Sequence, residues 1–381
     1  MGEKKRSGMS LFKRLFCGCV VIFSLFFTFA LLLTIVVHIG TPRQKTVSQS
    51  NLGVVERFFT NSSNIISDAT ASVMNIEKKY WISPGAVAAP KPDRNCYGQT
   101  DDPASMSEVV KAAEKLLDGQ SLYFSSDITL LEDTAIRYYL DDTILAITWK
   151  QPIDNTVYTF SEVKIADPSQ FRRFLAGGEY SSGKLAIPTE MANSVNAVVA
   201  SSGDYYQFRN AGVIVYNGTV CRVASSADTC YVDSSGDLHF THIKDQMTMD
   251  TAKSYVEEND IQFSVAFGPI LVENGQKHSF GSYGLGEVGD QFARAALCQM
   301  DKLHYLLVNA NAEGNQHSYP TMYEFAERIY QTGCRDAYAL DGGQTAVIVM
   351  DGELINQVTH NYQRKISDII YFATALPNPQ G

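Results

Sequence analysis

The stretch DAYALDGGQTAVIVMDGELIN (336–356) places a carboxylate, Asp341, at the exit of an apolar run and follows it with Gly342 and Gly343. A hairpin alone does not require them, because Asp351-Gly352 already supplies the favoured two-residue turn. Adjacent glycines at a strand end let backbone N–H groups converge on an anion, and Thr345 adds a hydroxyl. Asp341 is placed to orient a hydroxyl or to act as acid or base. The competing reading is a wide loop capped by an aspartate. A second stretch, VVASSGDYYQFRNAGVIV (198–215), repeats the order: an apolar run, then Gly203-Asp204, Tyr205-Tyr206 and Arg209-Asn210. Tyrosines stack on sugar faces, and Arg209 is suited to bidentate pairing with phosphate oxygens. In DQFARAALCQM (290–300) Arg294 stands alone among apolar residues, so it needs a partner or an anion. Arg364 and Asp368 precede a closing strand in NYQRKISDIIYFA (361–373).

The elements that must position these residues are legible around them. Short runs rich in Val, Ile, Thr and Tyr begin at about residue 135 and read as strands. Three of them, VIVYNG (213–218), PILVENG (269–275) and VIVMDG (347–352), end in hairpin turns. YPTMYEFAERIYQTGC predicts a helix: Thr321 and Glu324 form a capping box, Met322, Phe325, Ala326 and Ile329 make its apolar face, and Gly333 stops it. SMSEVVKAAEKLLDG predicts another, capped by Ser107 and ended by Gly119, with Val109, Val110, Ala113, Leu116 and Leu117 facing inward. The expected fold class is α+β: one mixed β-sheet-rich domain with flanking helices, spanning 135–376.

Ahead of it, residues 15–39 carry no acidic or basic side chain except His38 and exceed the roughly 20 residues that cross a bilayer as a helix. Lys4, Lys5, Arg6, Lys13 and Arg14 precede this run, so a single-pass signal anchor is expected, with 1–14 cytoplasmic and the C-terminal domain extracellular. Residues 40–134 read as stalk and linker with short helices, SPGAVAAPKPDRNCYGQTDDPAS (83–105) being rich in Pro, Gly and Ala. The net charge of −10 and the lack of a basic stripe argue against a nucleic-acid partner. Cys221 and Cys230, flanking RVASSADT, are the expected disulfide. No cofactor is expected, and no metal: His239 and His242 in HFTH point to opposite faces of a strand, which favours a surface pair.

Taken in order, these segments resemble the phosphodiester glycosidase family, whose members include N-acetylglucosamine-1-phosphodiester alpha-N-acetylglucosaminidases and bacterial membrane-anchored, exopolysaccharide-related proteins. The resemblance covers roughly 135–375. It rests on Ser202-Gly203-Asp204-Tyr205-Tyr206 with Arg209-Asn210 and Gly212, FGPILVENG (267–275), Arg294 with its neighbours, the helix and Asp341-Gly342-Gly343 at 321–346, and Arg364 with SDIIY. It implies hydrolysis of a sugar-1-phosphodiester, releasing the sugar and leaving a phosphomonoester. Asp204 and Asp341 would then be the catalytic carboxylates. Gly203, Tyr206, Arg209, Arg294, Gly342, Gly343, Thr345 and Arg364 would bind substrate. The chain departs from the family pattern at Ser202, Gln207, Ala293, Ala295, Cys298, Asn309-Ala310-Asn311, Gln344 and Ala346. Two functions are therefore carried forward: an anchored hydrolase of envelope or exopolysaccharide sugar phosphates, and a catalytically inactive member that binds glycan or an envelope protein.

Overall fold

In the computed structural model, residues 80–280 and 287–376 are described. They belong to one compact unit, Lys78–Gly381. The 15–39 run and the stalk up to residue 79 lie outside the described residues, among which no helix is long and apolar enough to cross a membrane.

Two sheets packed face to face make the framework. The larger has nine strands, in spatial order Tyr97–Thr100, Ile136–Leu140, Ile144–Ile153, Thr156–Ile165, His304–Asn311, Arg294–Asp301, Asp336–Leu340, Ile270–Glu273 and Gln276–Lys277. Against it lies a five-stranded sheet, Glu353–Leu354, Ile348–Met350, Val199–Ser202, Asp368–Phe372 and Phe171–Leu175. A three-stranded sheet (Leu238–Thr241, Thr229–Asp233, Ile261–Val265) completes this layer.

Period-two alternation sends successive residues of one strand into different cores. Ala295, Leu297, Tyr305 and Leu307 face the inter-sheet core, with Phe171, Val199, Ile348, Ile370, Val265 and Phe372. Ala296, Cys298, Leu306 and Val308 face the opposite way, against Met106, Leu117, Met322, Phe325 and Ile329 of the helices. The far side of the five-stranded sheet is covered by Met191 and Ala192 of the helix Pro188–Ser194. The central strands are thus buried on both faces, which is why YLLV (305–308) is uninterruptedly apolar.

The three expected hairpins are present. Asn217-Gly218, Asn274-Gly275 and Asp351-Gly352 all have positive φ at both positions, the backbone of the turn that matches strand twist. The helix Met322–Tyr330 begins at its expected capping box, with the Thr321 hydroxyl accepting from the Glu324 amide (3.2 Å) and Glu324 accepting from the Thr321 amide (2.8 Å).

Several expectations are corrected. The α+β class holds, but every strand pair in these sheets is antiparallel rather than mixed. The helix Met322–Tyr330 leads into Asp336–Leu340, which pairs with Arg294–Asp301 on the side away from His304–Asn311. The domain also starts earlier than residue 135. Ile82 and Ala89 are buried, Tyr97–Thr100 pairs with Ile136–Leu140, and Met106 and Leu117 cover the large sheet. The helix expected from Ser107 is two short ones, Met106–Ala112 and Glu114–Leu117, preceded by Ser105 without a side-chain cap.

Cys221 and Cys230 are free thiols. The strand holding Cys221, Thr219–Val223, pairs with Val213–Tyr216 and not with Thr229–Asp233, so RVASSADT does not fold back as a hairpin between them. Cys230 faces the inter-sheet core, whereas Cys221 packs near Leu175, Tyr206 and Ile214. Non-reduced peptide mapping of the purified protein should recover Cys221 and Cys230 unlinked; a 221–230 linked peptide would contradict this packing.

Candidate active site

The strand QFRRFL carries adjacent arginines, which must point to opposite faces. Arg172 reaches outward to the carbonyl of Ala86 (2.8 Å) and the Tyr371 hydroxyl (3.1 Å). Arg173 turns inward, and its side chain is entirely shielded from solvent. Its Nε donates to Asp368 Oδ2 at 2.7 Å, its Nη2 lies 3.1 Å from Asp204 Oδ2, and its Nη1 donates to the Ser264 carbonyl.

The remaining carboxylate oxygens tie in neighbouring segments. Asp204 Oδ2 accepts from the Ala266 amide (2.9 Å), and Asp368 Oδ1 accepts from the Asp204 amide (3.1 Å). Asp204 Oδ1 is buried with no partner among the described residues. Burial pushes Asp368 up to about 7, with Arg173 acting downward and the Asp204 charge upward. The two acids together raise Arg173 above its ordinary value despite its burial.

Gly203 is required at this junction, because a Cβ there would lie 2.1 Å from Asp368 Oδ2. Its carbonyl accepts from the Asp341 amide at 3.0 Å, and Ser202 Oγ donates to the Asp341 carbonyl at 2.9 Å. The two segments singled out by sequence thus meet through the backbone at their strand ends. The Asp341 carboxyl is pushed up to about 7, first by burial and then by the Asp204 charge, against the downward pull of the Thr345 hydroxyl, Arg209 and Arg364. A carboxyl held near neutrality has the protonation balance that acid/base chemistry requires.

The surrounding residues divide between this cluster and the scaffold. Tyr206 is buried, stacked on Tyr180 (5.3 Å) and under the Arg173 guanidinium (5.5 Å), so it is no sugar platform. Its neighbour Tyr205 is the more accessible ring; it stacks on the exposed Phe208 (4.6 Å) and lies beneath the exposed Arg364 (5.8 Å). Arg209 lies over Phe267 (4.5 Å), half-buried. Arg294 uses its donors on the carbonyls of Glu287 (2.9 Å), Asp290 (2.5 Å) and Pro320 (3.4 Å), which pins the loop ahead of its strand. The cleft it shares with Arg209 holds about 20 Å³, room for a water but not for a phosphate.

The glycines serve close packing more than anion binding. A Cβ on Gly342 would lie 2.7 Å from the Ala293 carbonyl, and Gly343, with φ +61°, donates its N–H to that same oxygen at 2.7 Å. The Thr345 hydroxyl donates to the Gly342 carbonyl (2.6 Å). The backbone cradle expected of Gly342-Gly343 is therefore partly occupied by the chain itself.

Two contributors were not among the sequence candidates for the site. Arg173 left one signal, the adjacent arginines in a strand; Asp368 left none beyond its place in SDIIY. Asn309 is a third position of interest. It lies two strands across from Leu340 in register and is buried with both amide atoms unpartnered among the described residues, as are Asn311 Oδ1, Thr159 Oγ1 and Gln344 Nε2. Orphaned buried polar atoms are rare enough to mark a place for water or ligand. A cavity of about 260 Å³ is lined by Trp81, Arg172, Arg173, Asn217 and Phe263 among others, but by neither Asp204 nor Asp341. It touches the carboxylate cluster only at Arg173.

Residues 195–373 match the sequence profile of the phosphodiester glycosidase family, and the carboxylate cluster of Asp204, Asp341 and Asp368 falls inside that span. A comparison with curated protein sequences found no match. Among solved structures, the catalytic domain of zebrafish N-acetylglucosamine-1-phosphodiester alpha-N-acetylglucosaminidase, auto-inhibited by its pro-peptide, is similar at 15% identity. The similarity covers 68% of this chain and 92% of that one, with a TM-score of 0.49. A hypothetical protein from Synechocystis is similar at 13% identity over 63% of this chain and 64% of that one, with a TM-score of 0.44. Arg173, which anchors these carboxylates, lies upstream of the matched span.

Two outcomes test this geometry. Gly203→Ala should displace Asp368 from Arg173 and cost about 3–5 kcal/mol, as breaking a buried ion pair does; denaturant unfolding at parity with wild type would exclude the contact. Asp341 has an ordinary value of 3.8 and a folded value of about 7, so the folded state holds its proton more tightly. Stability should fall as pH rises from about 4 to about 7 and then level, by about 4 kcal/mol from this group. Asp368 adds a slope of the same sign. Asp341→Asn should flatten the profile, which unfolding curves at pH 4, 6 and 8 would check.

Proposed function

We propose that the domain hydrolyses a sugar-1-phosphodiester, with Asp341 as general base and Asp204 as the carboxylate facing the anomeric centre. The observation that carries this reading is the buried Asp341 carboxyl, held up to about 7, beside the Asp204 carboxylate and within the fields of Arg209 and Arg364. Membership of residues 195–373 in the phosphodiester glycosidase family supports the reaction class.

The chemistry follows from the leaving group. A phosphomonoester departs as a stable anion, so the bond from the anomeric carbon to the bridging oxygen breaks with little need for protonation. The demand falls on the incoming water, whose oxygen bonds to that carbon while its proton passes to Asp341. Asp204, oriented by Arg173 and the Ala266 amide, has Oδ1 left to stabilise positive charge at the anomeric carbon or to hold a ring hydroxyl. Arg364 and Arg209 are the cations available to the diester. Tyr205, with Phe208, offers the aromatic face for a sugar. An N-acetylglucosamine-1-phosphodiester of an envelope or exopolysaccharide glycan is the proposed substrate. In the same proposal the 15–39 run anchors the domain at the cell membrane, facing outward.

The second reading, a binding protein without turnover, is favoured by Asn309 and Gln344. Their buried amide atoms lack partners at positions where the family pattern carries other residues.

The deciding measurement is release of free sugar from N-acetylglucosamine-1-phosphodiesters by the purified chain. Turnover is expected, with kcat/KM rising through pH of about 7 as Asp341 ionises. Asp341→Asn should lower kcat by about 10²–10⁴-fold, the usual worth of a general base. No turnover, with sugar phosphate still raising the melting temperature, would replace the enzyme by the binding reading.

A further inference from the structure

Away from this cluster, HFTH and the hairpin FGPILVENGQKH bring together three side chains with metal-ligand chemistry. The strand Leu238–Thr241 separates its two histidines as expected. His239 turns to Asp233 (Nε2 to Oδ2, 2.8 Å), which raises its pKa, while His242 lies just past the strand end. There it meets the edge hairpin of the large sheet. Its Nε2 is 3.4 Å from Glu273 Oε2, and its ring stacks on His278 with centroids 5.2 Å apart. Glu273 ends the strand Ile270–Glu273, and the His278 amide donates to the Leu271 carbonyl (2.9 Å), so both residues are held by one hairpin. One ligand atom from each of His242, Glu273 and His278 lies within 4.8 Å of the other two. His278 Nδ1 is buried and has no hydrogen-bond partner among the described residues.

We propose that His242, Glu273 and His278 bind a divalent transition-metal ion of the zinc class. Two imidazoles and a carboxylate are a borderline-soft donor set that suits zinc and does not suit calcium or magnesium, which prefer all-oxygen shells. A tetrahedral ion with bonds of about 2.0–2.2 Å spaces its ligand atoms roughly 3.4 Å apart. The separation between His242 and Glu273 already has that value, and His278, with its ligand atom within 4.8 Å, is the one that would close on the ion. The orphaned Nδ1 then gains the partner it lacks. With three protein ligands, the fourth position is left to water. Such an ion would clamp the exit of the three-stranded sheet to the edge of the nine-stranded one. None of its ligands belongs to the carboxylate cluster around Asp341, so the proposal stands whether or not the domain turns over.

The rival account is a plain His242–Glu273 ion pair beside an idle His278, and it predicts no metal response. The test is zinc titration of the full chain after chelator treatment, followed by calorimetry and by melting temperature. Cobalt absorption reports the ligand geometry. One zinc per chain and a raised melting temperature are expected. His242→Ala and His278→Ala should each weaken binding by more than the roughly 10–100-fold that altered outer-shell partners cost. His239→Ala should leave it unchanged. Glu273→Gln removes an exposed-side ligand with little risk to folding, so it keeps the test valid if a histidine variant does not fold. No zinc uptake by wild type, or equal uptake by wild type and the His242, His278 and Glu273 variants, would overturn the proposal.

Discussion

One guanidinium sets the geometry of this domain. Arg173 is fully enclosed and holds two carboxylates, Asp204 and Asp368, that would otherwise repel each other in a region without water. Taking three charges out of solvent costs several kcal/mol each, and only close, saturated contacts offset it. Those contacts explain much of the local sequence. Gly203 has no side chain because Asp368 occupies the space, and the Asp204 and Ala266 amides face inward because the carboxylates need donors. Two strands of the five-stranded sheet, Phe171–Leu175 and Asp368–Phe372, are joined by this pair as well as by their backbone ladder.

The surplus of negative charge gives Asp341 its character. With one arginine between two acids, the Asp204 charge is incompletely neutralised, and its field adds to burial in holding the Asp341 proton. Asp341 is reached through the Gly203 carbonyl and the Ser202 hydroxyl, so its position is inherited from the same junction. Polar atoms without partners among the described residues remain at Asn309 and Asn311 of the large sheet and at Gln344 in the turn after Asp341.

How much of this was readable in the sequence depended on the range of each interaction. The hairpins at 217, 274 and 351 and the helix after Thr321 are specified within a few residues, by turn glycines and a capping box, and they are where the sequence puts them. The meeting of Asp204 with Asp341 was visible as two matching strand ends. Arg173 was not, because its partners lie about 30 and 195 residues away and only the paired arginines hinted that one faced inward. Composition misled at 83–105, where Pro and Gly suggested a tether although Ile82, Ala89 and Tyr97 are tied into the fold. Spacing misled for Cys221 and Cys230, since closeness in sequence says nothing about which strand each one joins. The same limit hid His278 from His242.

The ends of the sheets have a consequence for how such a domain can live at high local density. The nine-stranded sheet closes on one side with four residues, Tyr97–Thr100, and on the other with two, Gln276–Lys277, where Lys277 is engaged by Glu327 of the neighbouring helix. The five-stranded sheet ends at one edge in the two residues Glu353–Leu354, with Glu353 held by Arg137. A long bare edge is a template for pairing with another copy, and short edges bearing charge remove it. Sheets with central strands this apolar can therefore be crowded side by side on a surface without annealing into one another.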